Sequence, residues 1–334
     1  MVLTVSQGNE VINDVPTAQD NPPVIRAVQR DLKNYIKNHA SRAIPVGYSA
    51  ADVREVLEDT WAYLQCNIGN GTDMSRSDFF GLNSYSWCGD ASSFQISGYD
   101  VLVEIFSNTT IPVFFSEYGC NDPQPRYFDE VQAIYGPQMT TLSGGLVYEW
   151  TQEESNYGII NVYSNNSAEL RPDYDVLMGK YNSLDNGLIT ASNDTATSLQ
   201  PPQCNARLIS SDGFSTDFDI PDPPQGAQAL IDNGIPNPLQ GSIVPVTQTE
   251  VQVPVYATNG GPLQGLKIAS RSAANLPGAD ALSTGEPGST ASVNGGAASS
   301  SSSSQMASAP TAVGMGVVVN AVGAAALGVV AFAL

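Results

Sequence analysis

Residues 111–136 read IPVFFSEYGCNDPQPRYFDEVQAIYG. The apolar run Ile111–Phe115 has the length and aromatic content of a buried strand. Glu117 follows it almost at once, and a loop rich in Gly, Asn, Asp and Pro comes next. Residues 126–136 then return to a helical pattern. This is one strand–helix unit, with a carboxylate placed where the strand ends.

The same unit repeats on both sides. LTVSQGN (3–9) reads as a strand. A helix follows from Asn21 as N-cap and Pro22 at the first position, with Ile25, Val28, Leu32 and Ile36 at helical spacing on one face. AIPVGYS (43–49) is the next strand, and Ser49 with Asp52 is expected to form a capping box for a helix striped by Val53, Val56, Leu57, Trp61 and Leu64. Strands at 79–87 and 144–150 and helices at 98–107 and 173–184 continue the alternation.

Strands alternating with helices predict an α/β fold with a parallel sheet of βα units. Five units fit into about 180 residues, whereas a complete (β/α)8 TIM barrel takes roughly 250. The expectation is therefore an incomplete barrel, residues 1–205, carrying about strands four to eight, with some three units upstream of Met1. MVLTVSQGNE has neither a basic start nor a long apolar core, so no signal peptide is visible. That also fits an incomplete start.

Beyond Cys204 the composition changes. Residues 206–275 are rich in Pro, Gly, Asn and Gln and read as an irregular or partly ordered segment, in which GSIVPV and EVQVPVYA are either a few irregular strands or disordered. Residues 276–311 are a Ser/Ala/Gly stalk of low complexity. Residues 312–334 are apolar, and no charged residue follows Glu286. A polar spacer followed by an apolar tail with no basic anchor behind it is the pattern of a GPI attachment signal. Asn294, backed by Gly295 and Gly296, is the expected attachment residue, with a serine in 299–304 as the alternative.

The chain has 33 acidic against 13 basic residues, a net charge of -20. No positive field is available to neutralise phosphates, which argues against a nucleic-acid partner. One histidine, His39, and four cysteines without a CxxC pair do not make a zinc site, and no metal or cofactor is expected. Four cysteines allow three pairings. Sequons at Asn70, Asn108, Asn165 and Asn193 are expected glycosylation acceptors in the secretory pathway.

In a βα barrel the residues just past the C-terminal strand ends line the active site. Glu10 and Glu117 both occupy such positions, with two strand units between them. On facing strands two carboxyls can stand roughly 5–5.5 Å apart, as a retaining glycosidase requires. Asn9 suits a hydrogen bond to a sugar 2-hydroxyl, and Tyr85 could orient Glu117. The residues alone leave open whether the two acids are catalytic or structural.

NEVIND (9–14), GLNSYSWCG (81–89), SEYGCN (116–121) and GGLVYEWTQEESNYGII (144–160) occur in this order. Together they resemble the fungal cell-wall β-1,3-glucanosyltransferases of glycoside hydrolase family 72, the Gas/Gel group. The likeness runs over about residues 3–205. It implies Glu10 as acid/base, Glu117 as nucleophile, Asn9, Tyr85 and Tyr148 as substrate-binding residues, and disulfides Cys88–Cys120 and Cys66–Cys204. Tyr85, Trp87, Tyr148 and Trp150 become candidate stacking platforms, with barrel packing as the competing role.

The implied reaction cleaves an internal β-1,3-glucan bond and passes the chain to a second glucan, so donor and acceptor β-1,3-glucans are the expected partners. The implied location is the outer face of the cell membrane through a GPI anchor, or the cell wall. The chain departs from the family in lacking the first part of the barrel, one further cysteine pair and the cysteine-rich glucan-binding module. An endo-β-1,3-glucanase and a non-catalytic anchored wall glycoprotein are the alternatives.

Overall fold

A computed structural model describes residues 4–189, 199–239, 241, 245 and 247–267. Asn193, Asn294, the stalk and the apolar tail lie outside the described residues. Five strands, β1 (Val5–Asn9), β2 (Val46–Ala51), β3 (Phe80–Ser84), β4 (Val113–Tyr118) and β5 (Gly145–Val147), form one all-parallel sheet in sequential order. They alternate with helices α1 (Val15–Asp20), α2 (Pro22–His39), α3 (Leu57–Gln65), α4 (Tyr99–Ile105), α5 (Glu130–Ile134) and α6 (Pro172–Asn182). Sequential parallel order with helical crossovers is the wall of an α/β barrel.

The strands' residue alternation separates two environments. Tyr48, Phe80, Leu82, Val113, Phe115 and Tyr118 are fully buried in the apolar core. Trp61 and Phe80 both pack on Phe106, and Tyr99 packs on Phe115. The opposite face carries small polar residues. The Ser6 and Ser49 hydroxyls are 3.2 Å apart, and a Cβ at Gly81 would stand 2.5 Å from Ser116 Oγ and 3.2 Å from Ser49 Oγ. A face built of Ser, Gly and Asn leaves room above it for a polar ligand.

Some local expectations change. α1 is an extra helix that begins with a capping box between Asp14 and Thr17. The inward face of α2 is Pro22, Ile25, Arg26 and Gln29, while Val28 is 39% exposed. The reason is Arg26, whose guanidinium enters the interior to bond Tyr63 O, Cys66 O, Asp73 and Ser75, turning the helix away from the apolar stripe. Asn21 does not cap α2 with its side chain; its amide donates to Val11 O. Ser49 and Asp52 form no capping box, because Ser49 belongs to β2 and Asp52 takes bonds from Arg54 and Ser84. The helix foreseen at 126–136 shrinks to α5, since Pro123, Pro125 and the loop duties of Arg126 occupy its start.

The described residues past 182 lie against these units. After α7 (Asn186–Ile189), Cys204 is disulfide-bonded to Cys66, and Cys88 to Cys120. Buried Asp59 on α3 accepts from the backbone N–H of Ser210 and Ser211, and Phe218 stacks on Tyr63. α8 (Ala227–Asn233) packs on α2, where His39 and Asn38 both donate to Ile231 O. A second sheet joins β6 (Ile160–Val162), β7 (Ala168–Leu170) and β8 (Val255–Tyr256). β8 falls within EVQVPVYA, one of the irregular strands weighed from the sequence, but β6 and β7 were not foreseen, because strands of three residues leave no periodic signal.

Candidate active site

Glu10 and Glu117 sit at the same end of the sheet, at the ends of β1 and β4. Each is preceded by a register shift. Between β1 and β2, Ser6 faces Gly47 and Asn9 faces Ser49, so β1 carries one extra residue. Between β3 and β4, Leu82 faces Phe115 and Asn83 faces Glu117, which makes Ser116 the extra residue. A bulge breaks strict alternation and re-aims the side chains beyond it. Phe115 and Tyr118 therefore both enter the apolar core, while Ser116 and Glu117 stay half-exposed between them. Without the bulge, the carboxylate would alternate into the apolar layer.

Tyr85 Oη donates to Glu117 Oε2 at 2.6 Å. Burial pushes the Glu117 pKa up, the Tyr85 bond pulls it down, and the charges of Glu10 and Glu149 push it up further. Glu10 thus stands close enough for its charge to act on Glu117, which puts the two carboxyls in one site. Burial, together with the Glu117 bond and charge, raises the pKa of Tyr85 and keeps it a donor. Tyr85, Tyr148 and Tyr157 meet edge to face, with ring centroids 5.4–6.3 Å apart. The Tyr148 pKa is pushed up to about 12 by burial and by its bond to Glu149.

Glu10 is half-exposed, and its backbone N–H donates to Ser49 O at 2.8 Å. Its φ of 53° places the backbone in the left-handed region, a conformation a Glu adopts only where its surroundings hold it. Asn83 Nδ2 donates to Glu10 Oε1 at 2.9 Å and to Asn9 Oδ1 at 3.0 Å. Asn9 itself is exposed, so the neighbours Asn9 and Glu10 are held by one amide.

Arg126 ties the surrounding loops together. Its guanidinium is buried and pairs with buried Asp173 at 2.7 Å. It also donates to the carbonyls of Gly119, Tyr148 and Tyr157, the segments that follow Glu117 and carry two of the three tyrosines. Gly119 has φ 116°, and a Cβ there would meet Arg126 Nη1 at 3.2 Å, so glycine is required. The Cys88–Cys120 disulfide joins the loops after β3 and β4.

Of the sequence-derived residues, Glu10, Glu117, Asn9, Tyr85 and Tyr148 come together at one end of the sheet. Trp87 is buried beneath Tyr99, and Trp150 packs edge to face on Tyr174. Asn70, Asn108 and Asn165 are exposed. Sequence reasoning missed Asn83, Ser116, Arg126, Glu149 and Tyr157. A signal existed for Asn83, which lies two residues from both Gly81 and Tyr85 and so shares a strand face with them.

The glucanosyltransferase model of glycoside hydrolase family 72 matches residues 1–185. The chain is 49% identical over 280 residues to the Aspergillus fumigatus 1,3-beta-glucanosyltransferase gel2, covering 83% of this chain and 58% of that protein. It is 42% identical over 254 residues to the probable 1,3-beta-glucanosyltransferase GAS3 of Saccharomyces cerevisiae, covering 73% and 48%. It thus spans about half the length of these curated relatives. Among solved structures it resembles Saccharomyces cerevisiae Gas2p in complex with laminaripentaose, at TM-score 0.58 and 33% identity, covering 68% of this chain and 49% of that one. The family model spans more than half of the chain, and the chain belongs to the glucanosyltransferases of glycoside hydrolase family 72.

Proposed function

We propose that the chain carries the acid/base and the nucleophile of a retaining 1,3-β-glucanosyltransferase that elongates and remodels fungal cell-wall glucan. The observation that carries this reading is the pairing of Glu117, held by Tyr85, with Glu10, held by Asn83, on two strand ends of one sheet. The names of the relatives and the laminaripentaose of the Gas2p complex support β-1,3-glucan as donor and acceptor.

In the first step Glu117 attacks the anomeric carbon while Glu10 gives its proton to the departing glycosidic oxygen. In the second, Glu10 takes a proton from an acceptor hydroxyl as the new bond forms and Glu117 leaves. The Tyr85 hydroxyl stabilises the ionised form of the nucleophile and opposes the burial that raises its pKa, and the rings of Tyr85, Tyr148 and Tyr157 offer faces on which sugars can stack. Acceptor binding of this kind favours transfer over hydrolysis.

The apolar, uncharged C-terminal tail supports GPI anchoring at Asn294 on the outer face of the cell membrane. Asn70, Asn108, Asn165 and Asn193 are the proposed glycan acceptors. The catalytic reading is tested by incubating the protein with a defined laminarioligosaccharide and separating the products by size. Products longer than the donor are expected; only shorter ones would make the protein an endo-β-1,3-glucanase.

A further inference from the structure

We propose that Asn83 is the positioning residue for Glu10 and that Ser116, the neighbour of the nucleophile, holds Asn83 in place. The inference rests on the catalytic reading above. Asn83 is 3% exposed, and its polar atoms are all engaged. Its two N–H bonds go to Glu10 Oε1 and Asn9 Oδ1, and its Oδ1 accepts from Ser116 Oγ at 2.6 Å. An amide turned the other way would set its oxygen against the carboxylate, so the network has one sense.

The bulge at Ser116 is what makes the network possible. It keeps both Ser116 and Glu117 off the apolar face, so the serine reaches Asn83 while the next residue enters the cleft. Gly81 leaves the space, because a Cβ there would come within 2.8 Å of Ser116 Cβ and 2.5 Å of its Oγ. The chain of contacts runs from the strand of the nucleophile through Ser116 and Asn83 to the acid/base.

Oε1 of Glu10 accepts from an N–H and cannot also carry a proton toward that donor, so the proton travels on Oε2. It leaves Oε2 for the glycosidic oxygen as the C1–O bond breaks and the Glu117–C1 bond forms. It returns to Oε2 from the acceptor hydroxyl as that oxygen bonds C1 and Glu117 is released.

The test compares Asn83→Ala, Ser116→Ala and the unmodified full chain with two donors, a laminarioligosaccharide and a laminarioligosaccharyl fluoride. Fluoride departs with little acid assistance. A bond to a charged group corresponds to about ten- to hundredfold in rate, and Asn83→Ala is expected to lose that much kcat on the oligosaccharide and little glycosylation rate on the fluoride. Ser116→Ala should show the same imbalance to a smaller degree. Equal losses on both donors would overturn the assignment.

A second arm does not depend on activity. The side-chain amide resonances of Asn83, identified by their loss in Asn83→Ala, should move with pH in the unmodified chain and stop moving in Glu10→Gln. Identical pH behaviour in both would overturn the contact. An unmodified chain without transferase activity, but with amide resonances that titrate through Glu10, would instead refute the catalytic reading alone.

Discussion

Replacing Tyr85 with Phe removes one atom from the site, the hydroxyl that donates to Glu117 Oε2 at 2.6 Å. The ring remains, so its edge-to-face contacts with Tyr148 and Tyr157 can persist. A hydrogen bond to a charged group contributes about 1.5–3 kcal/mol. Glu117 is half-exposed, and solvent screening argues for the lower figure, about 1.5 kcal/mol.

The sign is set by which form the hydroxyl stabilises. It donates to the ionised carboxylate and so lowers a Glu117 pKa that burial, Glu10 and Glu149 raise. Its loss raises that pKa further. As the proposed nucleophile, Glu117 must be ionised, so the acid limb of kcat/KM against pH should move up. The assay is the initial rate of laminarioligosaccharide transfer across the acid range for both proteins. An acid limb that stays in place while activity falls at every pH would refute the electrostatic role of Tyr85 and leave it a packing residue.

Glu117→Gln should abolish transfer and hydrolysis together while leaving the melting temperature within a few degrees, as read by product separation and thermal unfolding. Glu130 is 3% exposed, and burial pushes its pKa up to about 7 from 4.5. The folded state therefore holds the extra proton, and stability falls as pH rises from 4.5 toward 7, by at most on the order of 3 kcal/mol; Glu130→Gln should remove that fall, raising Tm at pH 8 more than at pH 4. Asp173→Asn leaves the buried Arg126 guanidinium without its counter-charge and should cost about 3–5 kcal/mol in urea unfolding. Opening Cys66–Cys204, with a separation of 138 residues, should cost about 5 kcal/mol by chain entropy, against about 4 for Cys88–Cys120, measured with paired Cys→Ala variants.

Much of the sheet was legible because parallel strands buried beneath helices leave long apolar runs, and IPVFF or FFG cannot easily be read otherwise. Glu117 was legible because it closely follows such a run, and Glu10 and Tyr85 because they stand at the ends of the strands read at 3–9 and 79–87. The face of α2 was not. Hydropathy counts Arg26 as a surface residue, yet its side chain is fully buried and bonded to Asp73, which inverts the predicted stripe at Val28. The pairing of the second sheet escaped because β8 consists of Val255–Tyr256, and its contact with Ala168 and Glu169 crosses a long interval of chain. Such contacts are set by tertiary packing and have no local signature.

The bulges explain why a motif can be read correctly while its geometry stays hidden. Period-two alternation applied to Val113–Tyr118 puts Glu117 on the face of Phe115; it would send Ser116 to the cleft and Glu117 into the apolar layer. One extra residue resolves the conflict. Phe115 and Tyr118 keep their places in the core, and the two polar residues between them share the open face. β1 makes the same adjustment before Asn9 and Glu10. Each carboxylate thus depends on a local break in the pairing of an otherwise regular sheet, and Asn83, on the regular strand β3, is the fixed point that touches Glu10 directly and reaches the strand of Glu117 through Ser116. A β4 paired regularly through Ser116 would carry Glu117 into the apolar layer, which places the cost of this site in the strands that hold it.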